Sequence, residues 1–214
     1  MVVEDIQSLE PRADVVRVVL GDGRRPELAA EGEKFDWIIF SPPYPNNIDY
    51  TEVYKTEAWA LGFYETAAEM RAQRMGTIRS HPSVKFPDAY WYEKHDTLRE
   101  ETNRILQPLL DVVPKDRYRF GRVQILRGYA DDMLQVLTRC RALATDSGFL
   151  AFVVGNSVHG SKDQRFVIAA DLLICALAEL AGWEVEEIRV ARFLHRRGVE
   201  DDVLRESVVI LRLA

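Results

Sequence analysis

Phe35-Asp36-Trp37-Ile38-Ile39-Phe40-Ser41-Pro42-Pro43-Tyr44 is the stretch on which the fold turns. Its first six residues, apolar except for Asp36, read as a buried strand, and the two prolines behind them cannot continue a central ladder. Ser41 therefore stands at the carboxyl end of a strand. Toward the N-terminus, Val15 to Leu20 reads as another buried strand running into the turn Gly21-Asp22-Gly23, and a short helix fits Pro26 to Ala30. Toward the C-terminus, the spacing of Val53, Ala58, Trp59, Leu61 and Phe63 predicts a helix from Glu52 to about Arg74, weakened at Gly62. A charged, aromatic-bearing helix follows from about Tyr90 to Leu110, and Phe120 to Ala144 reads as a long amphipathic helix.

Gly148 to Gly155, with Phe149-Leu150-Ala151-Phe152-Val153-Val154 inside it, is the clearest strand. It leads to a polar turn, Asn156 to Ser161, and then to an apolar helix from about Arg165 to Ala181, stopped by Gly182. Val185 to Phe193 and Ser207 to Leu213 read as an antiparallel hairpin. Strands alternating with helices and closed by a hairpin predict an α/β fold: a mostly parallel sheet, an antiparallel C-terminal hairpin, and helices on both faces. With 214 residues, 47% of them apolar, a single domain over 1–214 is expected, carrying a helical insertion at 64–119.

Composition narrows the function classes. Cys140 and Cys175 lie in apolar helical stretches without metal-ligand or redox spacing, so no metal site is expected and both read as small core residues of a reducing compartment. The longest apolar run, Phe166 to Leu180, is broken by Asp171 and Glu179 and is too short for a bilayer, and Glu4 and Asp5 do not suit a secretion signal. A soluble, cytoplasmic chain with no membrane partner is the expectation. A net charge of −6 and a pI near 5.4 do not advertise a nucleic-acid binder. Three basic clusters nevertheless exist, around Arg71 to Lys85, Lys115 to Arg127, and Arg192 to Arg197.

The run Ser41-Pro42-Pro43-Tyr44 resembles the catalytic motif of S-adenosylmethionine-dependent amino-methyltransferases, whose first position is Asp, Asn or Ser and whose last is usually aromatic. With Pro45-Asn46-Asn47-Ile48-Asp49-Tyr50 behind it, it looks like that of the bacterial DNA methylases, and serine in first place is similar to the cytosine N4 subgroup, with adenine N6 the lesser expectation. An exocyclic amine on a base is a poor nucleophile because its lone pair is delocalised into the ring. Two acceptors, the Ser41 side chain and the Pro42 carbonyl, draw that lone pair out when both take hydrogen bonds from the amino group. Pro43 keeps the backbone extended. Tyr44 supplies a stacking face for a base taken out of its duplex.

The resemblance extends further along the chain. Gly21-Asp22, with Gly23, looks like the acidic turn that meets the adenine of the cofactor, and Phe40 falls on the same cofactor side. Tyr129 to Met133 together with the Gly148 to Ser157 stretch is similar to the family's fifth-strand region, and Glu206 to Leu211 to its last strand. Asp22, Ser41 and Asn156 then each follow the carboxyl end of a strand, where open α/β sheets bind ligands. Asn46, Asn47, Asp49 and Tyr50 are candidates for contact with the base or its flanking phosphate, Asn156 for contact with the substrate, and Arg79, Lys85, Arg117 and Arg119 for contact with the DNA backbone. His159 and His195 read as surface-loop histidines.

One part of the family's pattern is missing. No glycine-rich cofactor loop is found either before or after the motif, so the sheet is expected to be an incomplete Rossmann-like methyltransferase sheet. A second protein chain supplying that loop, docked beside Phe35 to Phe40, is the leading expectation, within restriction-modification; a longer protein of which this chain is a part, or direct pairing of strands 15–20 and 35–40 in a reduced sheet, are the other two solutions. An RNA base methyltransferase and a non-catalytic DNA-binding or scaffolding subunit are the alternatives.

Overall fold

The structure is a computed structural model, and it describes residues 18–25, 32–46, 50–82, 84–161, 164–194 and 204–214. In chain order the elements are β1 (Phe35–Phe40), α1 (Tyr50–Val53), α2 (Lys55–Ala60), α3 (Ala67–Gly76), a 3-10 turn (Tyr92–Lys94), α4 (Asp96–Val112), α5 (Arg119–Leu143), β2 (Ala144–Gly155), β3 (Ser157–Ser161), β4 (Gln164–Ile168), α6 (Ala170–Leu180), β5 (Trp183–Phe193) and β6 (Arg205–Leu213).

Four strands form one sheet in the order β1-β2-β6-β5. β1 runs parallel to β2, with Trp37 opposite Phe149 and Phe40 opposite Phe152. β6 runs antiparallel to both β2 and β5, so the expected C-terminal hairpin is present. The fold is thus α/β, with parallel and antiparallel strands combined in one sheet. Alternation along the strands divides it into two faces. Leu150, Phe152 and Val154 of β2 and Val209 and Leu211 of β6 are buried against α5 and α6, joined by Leu126, Met133, Leu134, Leu137, Ile174 and Leu177. Trp183 closes the base of this core, donating from its indole nitrogen to the Leu137 carbonyl at 3.0 Å. The opposite face carries Trp37 stacked on Phe149, ring centres 5.0 Å apart, beside Ile39; Trp37 is 58% exposed and Ile39 73%.

The sequence expectations that changed did so for physical reasons. Within the expected strand 15–20, residues 18–20 pair with no strand, and Val18 and Leu20 are 90% and 97% exposed; residues 15–17 and the expected helix 26–30 lie outside the described residues. Residues 52–74 form separate short helices, because Gly62 takes a φ of 74° and Thr66 starts α3 afresh with a capping box to Glu69. The expected polar turn at 156–161 and the start of the expected helix at 165 instead form the β3–β4 hairpin, in which Val158 faces Val167 and His159 faces Phe166. Phe166, Val167 and Ile168 suit a strand better than a helix, and α6 begins after them. Its end is as expected, at Gly182 with a φ of 85°.

Tyr129 to Met133 lies inside α5, which is buried around most of its middle, both carboxylates Asp131 and Asp132 included. Cys140 is half-buried and Cys175 buried, and burial pushes both thiols up to about 12. Among the described residues no helix is long and apolar enough to cross a membrane.

Candidate active site

The motif leaves β1 at the carboxyl edge of the parallel pair and is tied at three points to the strands that follow. The Ser41 hydroxyl donates to the Val153 carbonyl of β2 at 3.0 Å. That bond directs its hydrogen away, so the remaining lone pairs of Oγ are available to accept from an incoming N–H. The Tyr44 hydroxyl donates to Glu206 Oε1 of β6 at 2.7 Å, and the Tyr44 ring lies so close to Gly155 that a Cβ there would sit 2.8 Å from Cε2. The Pro45 carbonyl accepts from the Ser157 hydroxyl at 2.7 Å and lies 3.0 Å from His159 Nε2. Pro42 is buried under the turn, and the Asn46 amide donates to the Ser80 carbonyl at 3.0 Å.

Burial, and after it the bond to the Glu206 carboxylate, pushes the Tyr44 hydroxyl up to about 12, so it remains a neutral donor at neutral pH. The same bond, with help from Arg192, holds the Glu206 carboxyl below the usual range against the opposing effect of partial burial. Arg192 Nε reaches Glu206 Oε2 at 2.7 Å. Glu206 and His159 are both missed by sequence reasoning. His159 is buried, 4% exposed, and packed on Phe166 rather than placed in a surface loop. The spacing Ser157-x-His159 after a strand is the only signal of that pairing, and nothing local marks Glu206.

The remaining expected site residues divide sharply. Tyr50 is half exposed and lines a cavity of about 600 Å³ with Tyr54, Phe63, Tyr64 and Gln73. Asn47 and Asp49 lie outside the described residues, as does His195. Asn156 follows β2 as expected, but it is buried and its Oδ1 accepts from the Asp171 amide at 3.3 Å, at the start of α6. Lys85 and Arg117 are exposed, with Arg117 over the Tyr118 ring at 4.6 Å. Arg119 donates to the Leu110 and Val113 carbonyls at the end of α4, a helix-capping arrangement.

Arg79 is buried instead of facing solvent, and it binds Asp131 at 2.5 Å and Asp132 at 2.8 Å, in a space kept open by Gly128. Asp132 also receives Arg24 at 3.1 Å, and Arg24 grips the Asp22 carboxylate at 2.8 Å. Burial raises the Asp22 carboxyl, but Arg24 more than offsets this and leaves it lowered. These residues surround a second cavity of about 550 Å³ against α5.

The strand ends therefore bring Ser41, Tyr44 and Asn156 together, whereas Asp22 belongs to the second cavity. As placed, Gly21, Asp22, Gly23 and Phe40 do not form a cradle for S-adenosylmethionine. Asp22 is occupied by Arg24, Gly23 sits against Val136 of α5, and Phe40 stacks inward on Phe152 at 6.0 Å. Among the described residues no cluster of three or more metal-ligating side chains occurs.

No protein-family model matches the chain. The type II methyltransferase M.AvaI, from Nostoc sp. and from Anabaena variabilis, is 28% identical over 165 residues. That match covers 75% of this chain and 33% of M.AvaI, so the chain spans about a third of the length of these relatives. Two solved structures of TTHA0409 from Thermus thermophilus, provisionally assigned as a DNA modification methylase, align at 12% and 13% identity. Their TM-scores are 0.42 and 0.46, over 91% of this chain and 52% of theirs.

Proposed function

We propose that this chain is the target-base half of a DNA amino-methyltransferase that uses S-adenosylmethionine, with cytosine N4 favoured over adenine N6 as the acceptor. The observation that carries the reading is the placement of Ser41-Pro42-Pro43-Tyr44 at the carboxyl end of β1, locked to β2 and β6 by Ser41 and Tyr44. Similarity to M.AvaI, a type II methyltransferase, supports methyl transfer as the reaction. The residues of this chain act on the acceptor side. Ser41 Oγ, already donating to Val153, accepts one N–H of the exocyclic amine, and the Pro42 carbonyl accepts the other. Nitrogen held between two acceptors becomes more tetrahedral, and its lone pair becomes available. Tyr44 stacks on the base and compensates part of the cost of unstacking it.

The cofactor side is assigned to polypeptide outside these residues, on a second chain docked at β1. Support comes from the open edge of β1 among the described strands, from the exposed Trp37 and Ile39, and from the poor fit of the Asp22 region to the cofactor. Transfer of a tritiated methyl group to DNA and to RNA, measured with and without a co-purified partner, tests both parts. Incorporation into DNA that requires the partner and falls about 100-fold or more with Ser41→Ala is the expected result. Unchanged transfer by Ser41→Ala removes the motif from the mechanism. Tight binding of S-adenosylmethionine to this chain alone, measured by calorimetry, refutes the divided site.

A further inference from the structure

We propose that Glu206 is a positioning residue that fixes the plane of Tyr44, with Arg192 holding Glu206 in place; this rests on the reading of Ser41 to Tyr44 as the base-handling motif. The sheet register supplies the geometry. Gly155 of β2 lies opposite Glu206 of β6, and Glu206 lies opposite Arg192 of β5, so the three form one row across adjacent strands at the end of the sheet. Tyr44 lies over that row. Its ring contacts Gly155, where any side chain would collide with it, and its hydroxyl donates to Glu206 Oε1 at 2.7 Å. Arg192 Nε donates to the other oxygen, Oε2, at 2.7 Å and Nη2 approaches Oε1 at 3.4 Å, which leaves the carboxylate little freedom to rotate.

A tyrosine gripped both at its ring and at its hydroxyl is ordered before a base arrives, and that ordering cost is not charged to binding. Exposure agrees with a support role: Glu206 is 14% exposed at its side chain, while Arg192 remains 66% exposed. Ser41 is referenced to β2 through Val153, so both ends of the four-residue motif take their geometry from adjoining positions of the same sheet.

The test uses the full chain in two measurements. The first follows the fluorescence of a short single-stranded DNA carrying 2-aminopurine, which is quenched by stacking; the second follows the carbon resonances of labelled tyrosine. Wild type is expected to quench and Tyr44→Ala to abolish the effect. Glu206→Ala is expected to weaken the quenched complex about fivefold, the size of one lost hydrogen bond, and to broaden or average the Tyr44 ring signal. Glu206→Gln keeps an acceptor oxygen and should recover most of both. Quenching and a Tyr44 signal unchanged in Glu206→Ala overturn the proposal. If wild type and Tyr44→Ala quench alike, the base-handling reading fails separately. The Tyr44 signal then decides the role of Glu206 alone: a change in Glu206→Ala sustains it and none overturns it.

Discussion

Gly155 shows how tightly the site is specified at the scale of single residues. A methyl group added there meets the Tyr44 ring at 2.8 Å, and because the ring is tethered at its hydroxyl it cannot simply rotate aside. Gly155→Ala is therefore expected to cost about 1–3 kcal/mol of stability, the range for overpacking, and to change the near-ultraviolet circular dichroism of the tyrosines; an unaltered urea midpoint and spectrum count against the contact. The Tyr44–Glu206 bond also has a defined pH window. Glu206 has a lowered folded value, so its contribution is present above the ordinary carboxyl value of 4.5 and fades as pH falls through the lower folded one. Tyr44 has a raised one, so its contribution holds below 10 and is lost as pH rises through about 12. At this scale the position of Ser41 just after β1 was legible, because two prolines after an apolar strand leave few structures open. The internal partners of Arg79 and Arg119 were not: these two differ from surface arginines only through Asp131, Asp132 and the end of α4, which come close only in the folded chain.

Between elements, α6 and β6 are joined by one buried carboxylate. Asp171 is fully buried and receives Arg205 Nε and Ser207 Oγ, each at 2.8 Å, together with the Leu172 amide at 2.9 Å. Burial raises its carboxyl, but these donors more than offset that and hold it below the usual 3.8. Its stabilisation is accordingly complete above that value and is lost as pH falls through the lower folded value. Arg205→Ala leaves the carboxylate buried without its cation and is expected to cost about 3 kcal/mol, read as a lowered urea midpoint; a change within error would contradict the link. Asp132→Ala, which strips both Arg24 and Arg79 of a partner, should cost at least as much. The strands β1, β2, β5 and β6 could be read from their apolar runs and flanking turns. The β3–β4 hairpin could not, since Asn156 to Ser161 is polar in composition and becomes a strand only by pairing with 164–168 and by burying His159 and Ser157 around the Pro45 carbonyl.

At the scale of the whole molecule, the two faces of the sheet are unequal. One is sealed by α5 and α6, while Trp37 and Ile39 remain exposed on the other, beside the edge of β1 that pairs with no further strand among the described residues. The partner proposed to complete the cofactor site there should be displaced by charge: Ile39→Lys is expected to abolish co-purification of any such partner while moving the melting temperature of the isolated chain by little, because Ile39 is already 73% exposed. A collapse of the isolated chain would instead make Ile39 part of its own core. The class of fold was legible from strand order and the hairpin, but the open face was not, because apolar strand residues look alike whether a neighbour covers them or not. The most direct measurement is nucleoside mass spectrometry of DNA from a methylation-free host expressing this chain with the proposed partner. Methylation of an exocyclic amino group, present with wild type and lost with Ser41→Ala, is the predicted result. No methylated base with wild type and partner, or an equal amount with Ser41→Ala, would contradict the assignment of Ser41 to Tyr44 as the base-handling site.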